Sequence, residues 1–387
     1  MPAASVLLGR LVATFAATFE SLPYMTITRF ASSLFVAALF AGCSGMDNPS
    51  DDDPPGDDDV PLGDDGDVAF TTGVSTLAGM ADAGYVDGAR RVAQFNNPVN
   101  VAYRDGLLYV ADFDNGKLRV IDVDSHDTST VIAQTGFQRP FGLAFAPDGT
   151  LYVSTDNDQA GHHTSMSGSI WKVDVEAKTA TVIANAIGRP RGLAVLPDGR
   201  LAVADYLHHV VEIVDPANGT VTPIAGTWDA PGMVDGSGLI TRFSAPYNIV
   251  VRADGNLMVS DFDNNRLRLV ALDGTTSTLS GATEPGLVDG AMASARFSKP
   301  QGLVAAANGD VYVTDLGNLR VRKIVGDQII TIAGSGSDGY ADSDDRLAAQ
   351  FHGLEGLAVV PDGSMVYVAD GTRGETAPFN RVRQIKL

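Results

Sequence analysis

The sequence predicts an all-β protein, a six-bladed β-propeller of four-stranded antiparallel blades, and two observations carry this prediction. The first is a repeated unit: a proline, an apolar strand, an Asp-Gly turn, a second apolar strand, an Asp, a polar loop and a third strand. It starts at Pro98, Pro140, Pro190, Pro246 and Pro300, and at Leu354 without the proline. The second is the turn, which recurs in register as Asp105-Gly106, Asp148-Gly149, Asp198-Gly199, Asp254-Gly255, Asn308-Gly309 and Asp362-Gly363. A fourth strand in each repeat completes a propeller blade.

The copy that starts at Pro246 shows why each element forms. Residues 248–251 are an apolar run that is long enough for a strand and too short for a helix. Asp254-Gly255 favours a tight hairpin turn, because that turn needs positive φ. Residues 257–259 are the second strand, and residues 266–270 alternate inward and outward as a half-buried strand does. Residues 275–279, with their Thr-rich pattern, form the fourth strand.

The two ends of the repeat region predict that the ring is closed by the N-terminal strand. Residues 74–79 resemble the fourth strands at 221–226 and 276–281, yet they precede the first complete repeat. Residues 380–387 form a third strand with no fourth strand after it. We therefore expect the N-terminal strand to join the last blade, which leaves the ring without a free sheet edge.

Four linkers between blades share a second pattern, in which a glycine and an Asp precede a phenylalanine. These phenylalanines are Phe95, Phe243, Phe297 and Phe351. We expect each ring to fill the gap between adjacent blades and the Asp-Gly pairs to form turns. The linkers are thus interpreted as structural braces.

The residues before the repeats indicate export. Residues 25–43 have the basic Arg29, an apolar run and a sequence that resembles a lipobox, ending at Cys43, the only cysteine of the chain. We expect a lipoprotein signal with lipidation at Cys43; a plain secretory signal cut nearby is the alternative. Residues 1–24 are then an extension upstream of the true start. The expected location is the bacterial cell envelope, on the outer membrane.

A tether is predicted between the signal and the propeller. Residues 44–67 include ten aspartates and no basic residue, and such a segment stays disordered because it repels itself. The propeller then occupies residues 68–387. The net charge of the whole chain is −20, which disfavours nucleic acid as a partner.

Several segments resemble the NHL-repeat family. They are Gly142-Leu143-Ala144-Phe145, Tyr109-Val110-Ala111-Asp112, Tyr312-Val313-Thr314-Asp315 and Asn264-Asn265-Arg266-Leu267. The resemblance covers roughly residues 74–387 and implies one six-bladed ring. It implies no single function, because the relatives include sensor and interaction propellers as well as lyases, and similar rings include lactonases.

Function is expected on the face opposite the Asp-Gly hairpins, where loop lengths vary; we call it the variable face. It carries an aspartate at the end of each second strand, namely Asp112, Asp205, Asp261, Asp315 and Asp370, with Thr155 in blade two. These carboxylates either gather a metal or bind backbone amides of their loops, and the second is favoured. Only His352 is expected near the channel mouth, so a histidine-based zinc site is disfavoured.

The candidate ligand-binding residues follow the repeat proline. They are Arg191, Tyr247, Gln301 and Glu355, together with Asn100 and Asn248 one position later. A position that differs chemically in every blade, with Val99 and Phe141 in the first two, serves no repeated structural need. We expect these side chains to form a polar pocket at the channel mouth, covered by loops 156–168 and 371–380; solvated rim residues are the alternative. A main cavity on the hairpin face would count against this site.

Two functions stay open from the sequence. The first is an exported, lipid-anchored binding or scaffold module for a protein, peptide or glycan, monomeric and without a cofactor. The alternative is a lyase or lactone hydrolase with a divalent metal in the channel, held by Glu355, Asn100 and Asn248. No catalytic residues are identified, and the absence of a recognisable nucleophile and base favours the binding module.

Overall fold

The computed structural model describes residues 72–372 and 379–387. The expectations for residues 1–24, the signal with Cys43 and the acidic tether lie outside these residues. Within them, no helix is long and apolar enough to cross a membrane.

The described chain begins with strand β1 (Gly73–Met80), which precedes the first blade. Blade one is β2 (Pro98–Arg104), β3 (Leu107–Asp112), β4 (Lys117–Asp122) and β5 (Thr128–Ile132). Blade two is β6 (Pro140–Phe145), β7 (Leu151–Thr155), β8 (Gly168–Asp174) and β9 (Thr179–Ile187). Blade three is β10 (Pro190–Val195), β11 (Leu201–Asp205), β12 (Val210–Val214) and β13 (Val221–Ala225). The linker to blade four holds β14 (Gly236–Ser237) and a 3₁₀ helix at Gly238–Ile240.

Blade four is β15 (Pro246–Val251), β16 (Leu257–Asp261), β17 (Arg266–Val270) and β18 (Thr275–Gly281), followed by β19 (Gly290–Ala291) in the next linker. Blade five is β20 (Pro300–Ala305), β21 (Val311–Asp315), β22 (Arg320–Val325) and β23 (Gln328–Ala333). Blade six holds β24 (Leu354–Val359), β25 (Met365–Asp370) and β26 (Asn380–Lys386). Short 3₁₀ turns at Phe262–Asn264 and Leu316–Asn318 follow the second strands of blades four and five.

The six sheets are antiparallel, and their strand order confirms the predicted propeller. Strand β1 pairs with β26, with Gly73 opposite Lys386 and Met80 opposite Asn380. The sixth blade is therefore completed by the N-terminal strand, as the sequence predicts. Strands β14 and β19 add two-residue edges to β18 and β23.

The hydrophobic core lies in the gaps between neighbouring blades, and the linker phenylalanines fill four of these gaps. Phe95, Phe243, Phe297 and Phe351 are fully buried. Phe243, for example, packs with Ala225 of blade three and Ile249 of blade four. The expected bracing role is confirmed, and Phe137 takes the equivalent place beside Trp171 in the gap before blade two.

Candidate functional site

The residues that follow the repeat proline meet one another across the ring. The ring of Tyr247 in blade four lies 5.5 Å from that of Phe141 in blade two. Its hydroxyl donates a hydrogen bond of 3.3 Å to Oε2 of Glu355 in blade six. Contacts between alternate blades are feasible only at the central channel, so these side chains lie at its mouth. The alternative of solvated rim residues does not describe them, because Phe141 and Glu355 are buried.

Arg191 enters the same cluster from blade three. Its guanidinium lies 4.0 Å from the ring centre of Phe141 and 6.0 Å from that of Tyr247. One of its terminal nitrogens donates a hydrogen bond of 2.9 Å to Oδ2 of Asp156 in blade two. The cation is therefore held by a carboxylate on one side and by aromatic rings on the other.

A second set of residues, which the sequence analysis missed, completes the mouth. These residues come directly after the second strand of their blade: Phe113, Asp156, Tyr206 and Phe262. Each contacts a residue that follows a repeat proline: Phe113 contacts Phe141, Tyr206 and Phe262 contact Tyr247, and Asp156 binds Arg191. The sequence does contain a signal for these residues, because the position directly after the second strand also differs chemically from blade to blade. We call Asp156, Arg191, Tyr247, Gln301 and Glu355, with the rings of Phe113, Phe141, Tyr206 and Phe262, the mouth cluster.

The electrostatics of the mouth cluster follow from burial and from its carboxylates. Burial, with a smaller contribution from the charge of Glu355, raises the pKa of Tyr247 well above its ordinary value. The phenol therefore stays a neutral hydrogen-bond donor. Burial opposes the charge of Arg191, but Asp156, then Tyr247 and Glu355, more than offset it, so the pKa of Arg191 is raised. Arg191 is a permanent cation.

Three buried atoms of the mouth cluster have no hydrogen-bond partner in the part of the chain that the structure describes. They are Oδ1 of Asp156, Nε of Arg191 and Oε1 of Gln301. Asp156 and Gln301 are almost fully buried, at 1% and 2% exposed. Buried polar atoms of native proteins are nearly always satisfied by protein, water or a ligand. An ordered water molecule is the smallest partner that could satisfy each of these three atoms.

Asn100 and Asn248 serve the backbone instead. Oδ1 of Asn100 accepts a hydrogen bond of 2.9 Å from the amide of Val101, and Oδ1 of Asn248 accepts one of 2.7 Å from Ile249. Space is tight at this position, since a Cβ on Gly356 would overlap the side chain of Asn100. The structure therefore separates these two residues from the mouth cluster by role.

The two loops expected to cover the site contribute unequally. The blade-two loop supplies Asp156, and Nε2 of its His163 accepts a hydrogen bond of 3.2 Å from the guanidinium of Arg189 beside blade three. Of the blade-six loop, residues 373–378 lie outside the described residues. Phe379, at its end, stacks on His352 with ring centres 3.9 Å apart. Nδ1 of His352 also lies 2.7 Å from Oδ1 of Asp338, so this ring nitrogen has a partner in the linker before blade six.

Two cavities open on the hairpin face, opposite to the face on which the ligand is expected. A cavity of about 980 Å³ opens on the hairpin face, where Phe145, Val251, Arg252, Ala305 and Val359 line it. A second cavity of about 460 Å³ also opens on that face. Side-chain size differs between the two ends: Arg191, Tyr247 and the aromatic rings occupy the channel at the variable face, whereas four of the six innermost strands end in valine or alanine, at Val195, Val251, Ala305 and Val359. This counts against a wide pocket at the mouth, and a ligand there has to be small.

The aspartates at the ends of the second strands bind backbone amides, as favoured from the sequence. Oδ1 of Asp261, for example, accepts the amide of Ser244 at 2.7 Å. The second partner of these aspartates is not evident from the sequence pattern alone. In four blades, a fully buried arginine of the third strand bridges this aspartate and the linker aspartate; these arginines are Arg119, Arg268, Arg322 and Arg383. We call each such set of three residues an arginine brace.

Blades two and three lack both the linker aspartate and the arginine. In blade two, the indole of Trp171 donates a hydrogen bond of 2.8 Å to Thr155. In blade three, Nδ1 of His208 lies 2.7 Å from Oδ2 of Asp205, and Glu212 takes the place of the arginine. Trp228 stacks on His208 with ring centres 4.0 Å apart. The described residues contain no group of three or more His, Cys, Asp or Glu side chains placed to hold a metal ion.

The sheet order and the mouth define the class: a six-bladed β-propeller with its polar and aromatic cluster at one end of the channel. The comparisons with known proteins agree with the sequence repeats. Residues 297–324, in blade five, match the NHL repeat family, and the six-bladed ring is the architecture expected for such repeats.

Curated relatives are similar over most of this chain. The chloroplastic protein SUPPRESSOR OF QUENCHING 1 of Arabidopsis thaliana is 26% identical over 308 residues, which cover 76% of this chain and 26% of that protein. NHL repeat-containing protein 2 of Gallus gallus is 26% identical over 76% of this chain and 40% of its own length. The chain thus matches well under half of each of these relatives, so their activities do not transfer to it.

Solved structures share the fold at low sequence identity. An auxiliary nutrient binding protein from Bacteroides thetaiotaomicron has a TM-score of 0.63 and 18% identity, over 81% of this chain and 75% of its own. A streptogramin B lyase has a TM-score of 0.51 and 13% identity, over 81% of this chain and 97% of its own. At these identities, the similarity is one of architecture.

Proposed function

We propose that the protein is an exported, lipid-anchored binding module of the bacterial cell envelope, whose propeller binds a small polar ligand at the mouth cluster. The observation that carries the proposal is the set of polar atoms that converge at the mouth from four blades, on Asp156, Arg191, Tyr247 and Glu355. A structural plug of the channel would favour apolar side chains there, because buried polar atoms without partners cost about 1–3 kcal/mol each. A ligand that binds these atoms explains why they are retained.

The similar solved structures support the binding part of the proposal in a general way. One of them, from Bacteroides thetaiotaomicron, is described as an auxiliary nutrient binding protein. A second such protein, from Bacteroides ovatus, has a TM-score of 0.63 and 20% identity. The proposal that this chain also binds a nutrient-sized molecule rests on its own mouth cluster.

The envelope part of the proposal rests on residues 25–43, with the lipobox-like end at Cys43. An acidic tether of residues 44–67 would hold the propeller away from the membrane surface. The bacterial origin of the similar structures is consistent with this location.

The lyase or lactonase alternative has less support. It requires Glu355, Asn100 and Asn248 as metal ligands, yet the side-chain oxygens of both asparagines accept hydrogen bonds from strand amides. Turning either oxygen to a metal would leave a buried amide unpaired. We therefore propose binding rather than catalysis.

The test is a ligand screen on the purified full-length protein, with the melting temperature as the readout. The panel holds neutral sugars, amino acids and short peptides. We expect one class to raise the melting temperature of the wild type and of Arg252→Ala, whose change lies on the hairpin face. Tyr247→Phe and Arg191→Met, at the mouth, should lose most of the shift. The proposal fails if no compound acts, or if only Arg252→Ala loses the response.

A further inference from the structure

We propose that β9, the outer strand of blade two, pairs edge to edge with the same strand of a second copy of this chain, so that the protein forms a two-fold symmetric dimer. This interface goes beyond the proposed function and replaces the monomer expected from the sequence. The six outer strands occupy equivalent places in their blades, but they differ in what covers their outer edges.

Linkers cover the outer strands of four blades. Closing the ring does not cover these edges, because they lie at the rim. In blades four and five, the two-residue strands β14 and β19 pair with β18 and β23. In blades one and six, single bridges join Gly88 to Thr128 and Ser343 to Val74. These four strands therefore have no open edge where the linker runs.

A linker aspartate closes each of these four edges at a second point. It accepts the outward backbone amide of a threonine; Asp235, for example, accepts that of Thr278 at 3.0 Å. The other pairs are Thr76 with Asp342, Thr130 with Asp87 and Thr331 with Asp289. Each threonine lies opposite the brace arginine of its own blade. The strand register therefore locates the same position in the two blades that lack a brace.

Blade three carries a proline at this position. Pro223 in β13 lies opposite Glu212, which takes the place of the brace arginine. Proline has no N–H to offer to another strand and is typical of edges that are protected against pairing. The outer edge of blade three is thus blocked, although no linker strand covers it among the described residues.

Blade two leaves the position open. Val182 in β9 lies opposite Trp171, in the same register, and it retains its backbone N–H. In the part of the chain that the structure describes, no linker aspartate accepts this amide. The side chain of Gln134 covers only Ala180, whose amide and carbonyl it binds at 2.9 and 2.8 Å. The edge from Val182 onwards can therefore accept a further strand.

The composition of β9 favours a second copy as that strand. Its nine residues carry no charge and no proline, and threonine, valine and isoleucine supply the β-branched side chains that suit edge pairing. The surroundings are nearly neutral, since residues 172–189 hold three basic and two acidic residues in a chain of net charge −20. A strongly charged partner finds no complementary charge here, whereas two copies meet at the one edge where they do not repel.

The symmetry of an antiparallel pair fits this strand. When Val182 of one copy lies opposite Val182 of the other, each amide donates to the carbonyl of its counterpart, so one contact is made twice. Blade two then continues into the same blade of the second copy as one sheet. The alignment also brings the exposed Asn185 of one copy near Lys178 of the other.

The experiment is sedimentation equilibrium of the full-length chain carrying Cys43→Ser, which removes acyl chains as a cause of association. We expect the average mass to rise with concentration towards twice that of the monomer. Val182→Pro copies the blocked edge of blade three and should raise the dissociation constant of the dimer about tenfold or more, because it removes both reciprocal hydrogen bonds. Its melting temperature, measured where both proteins are monomeric, should match that of the parent.

Two charge variants test the register without touching the backbone. Asn185→Lys places a cation near Lys178 of the other copy and should weaken the dimer, whereas Asn185→Glu should keep or strengthen it. Thr222→Lys, an exposed residue of the blocked strand β13, is the matched control and should dimerise as the parent does.

Three outcomes overturn the proposal. A parent protein that stays monomeric at every concentration shows that no second copy pairs with β9, and an extended segment of another protein is then the occupant to seek. A dimer that neither Val182→Pro nor Asn185→Lys weakens uses another surface. Equal weakening by Thr222→Lys and Asn185→Lys shows an effect of overall charge rather than of this edge. None of these variants lies in the mouth cluster, so the proposed binding function is tested separately.

Discussion

At the scale of single residues, the arginine brace accounts for much of the sequence pattern that the repeats share. In blade four, the guanidinium of Arg268 lies 2.6 Å from a carboxylate oxygen of Asp261 and 2.6 Å from one of Asp235. It also lies over the ring of Phe243, with 4.9 Å to the ring centre. The side chain of Arg268 thus joins the third strand, the second strand and the linker. In the four blades with an arginine brace, this bridge holds the linker against its blade.

Removing one brace arginine should destabilise the protein strongly. Arg268→Met keeps the apolar stem but leaves Asp261 buried without its cation, which costs about 3–5 kcal/mol in comparable buried pairs. Urea unfolding measures the loss. Arg252→Ala, which removes a partly exposed pair with Asp254, is the matched control and should cost less than about 1 kcal/mol. Equal losses in the two variants would show that the brace is not a special source of stability.

Blade three predicts a dependence of stability on pH. Burial, with a smaller effect of the charge on Asp205, raises the pKa of Glu212 from 4.5 to about 7. His208, whose pKa Asp205 raises against the effect of burial, is the other group that faces Glu212. The folded state holds the proton of Glu212 more tightly than the unfolded state does. The stabilisation that this proton adds to the folded state is therefore fully present below about pH 4.5. It is lost as the pH rises to about 7.

The test compares wild type with Glu212→Gln, which cannot ionise at this position. The free energy of unfolding of the wild type, relative to the variant, should fall by roughly 3 kcal/mol between pH 4.5 and 8. Above pH 8, the difference in free energy of unfolding between wild type and variant should no longer change with pH. A constant difference over the whole range would mean that Glu212 is not a buried acid with a raised pKa.

The residues of the mouth were only partly predictable from the sequence. Arg191, Tyr247 and Glu355 were found because repeat alignment assigns them one position, and strand one is the innermost strand. Asp156 was not found, since its role depends on the path of the loop after strand two, which no strand periodicity fixes. The cavities on the hairpin face were not anticipated, because the filling of the channel depends on side-chain volumes and rotamers rather than on loop length.

At the scale of elements, the fold was almost fully predictable because it is one unit repeated with its turns in register. The Asp-Gly hairpins and alternating strands define each blade, and pairing of β1 with β26 follows from an unpaired strand at each end. The two-residue strands β14 and β19 were not anticipated. They form where linkers run along the outer edge, and no apolar alternation marks them.

The closing strand should be essential to the ring. Leu77 is fully buried in β1 and packs with Phe95 and Val382. Leu77→Ala should cost about 2–5 kcal/mol, because it leaves a cavity at the seam between blades six and one. Met80→Ala, at the exposed end of the same strand, should change the melting temperature little. Equal melting temperatures for wild type and Leu77→Ala would argue that the seam opens without unfolding the ring.

At the scale of the whole molecule, the propeller is a rigid scaffold with different ends to its channel. Large polar and aromatic side chains cluster at the variable face, whereas a cavity lined by Phe145, Arg252 and several valines and alanines opens at the hairpin face. Loops placed on such a closed ring can vary without disturbing the core.

Attachment is the last prediction, and it depends on Cys43, outside the residues that the structure describes. A lipidated cysteine with two or more acyl chains anchors a protein firmly, because each buried methylene group adds about 0.8 kcal/mol. Cys43→Ser should therefore move the protein from the membrane fraction to the soluble fraction of the envelope, with its melting temperature unchanged. Ser44→Ala, next to the cysteine, is the control and should remain membrane-bound. If Cys43→Ser stays with the membranes, the lipid anchor is wrong. If Cys43→Ser and wild type are both cleaved near residue 43 and both are found in the soluble fraction, the plain secretory signal is the correct alternative.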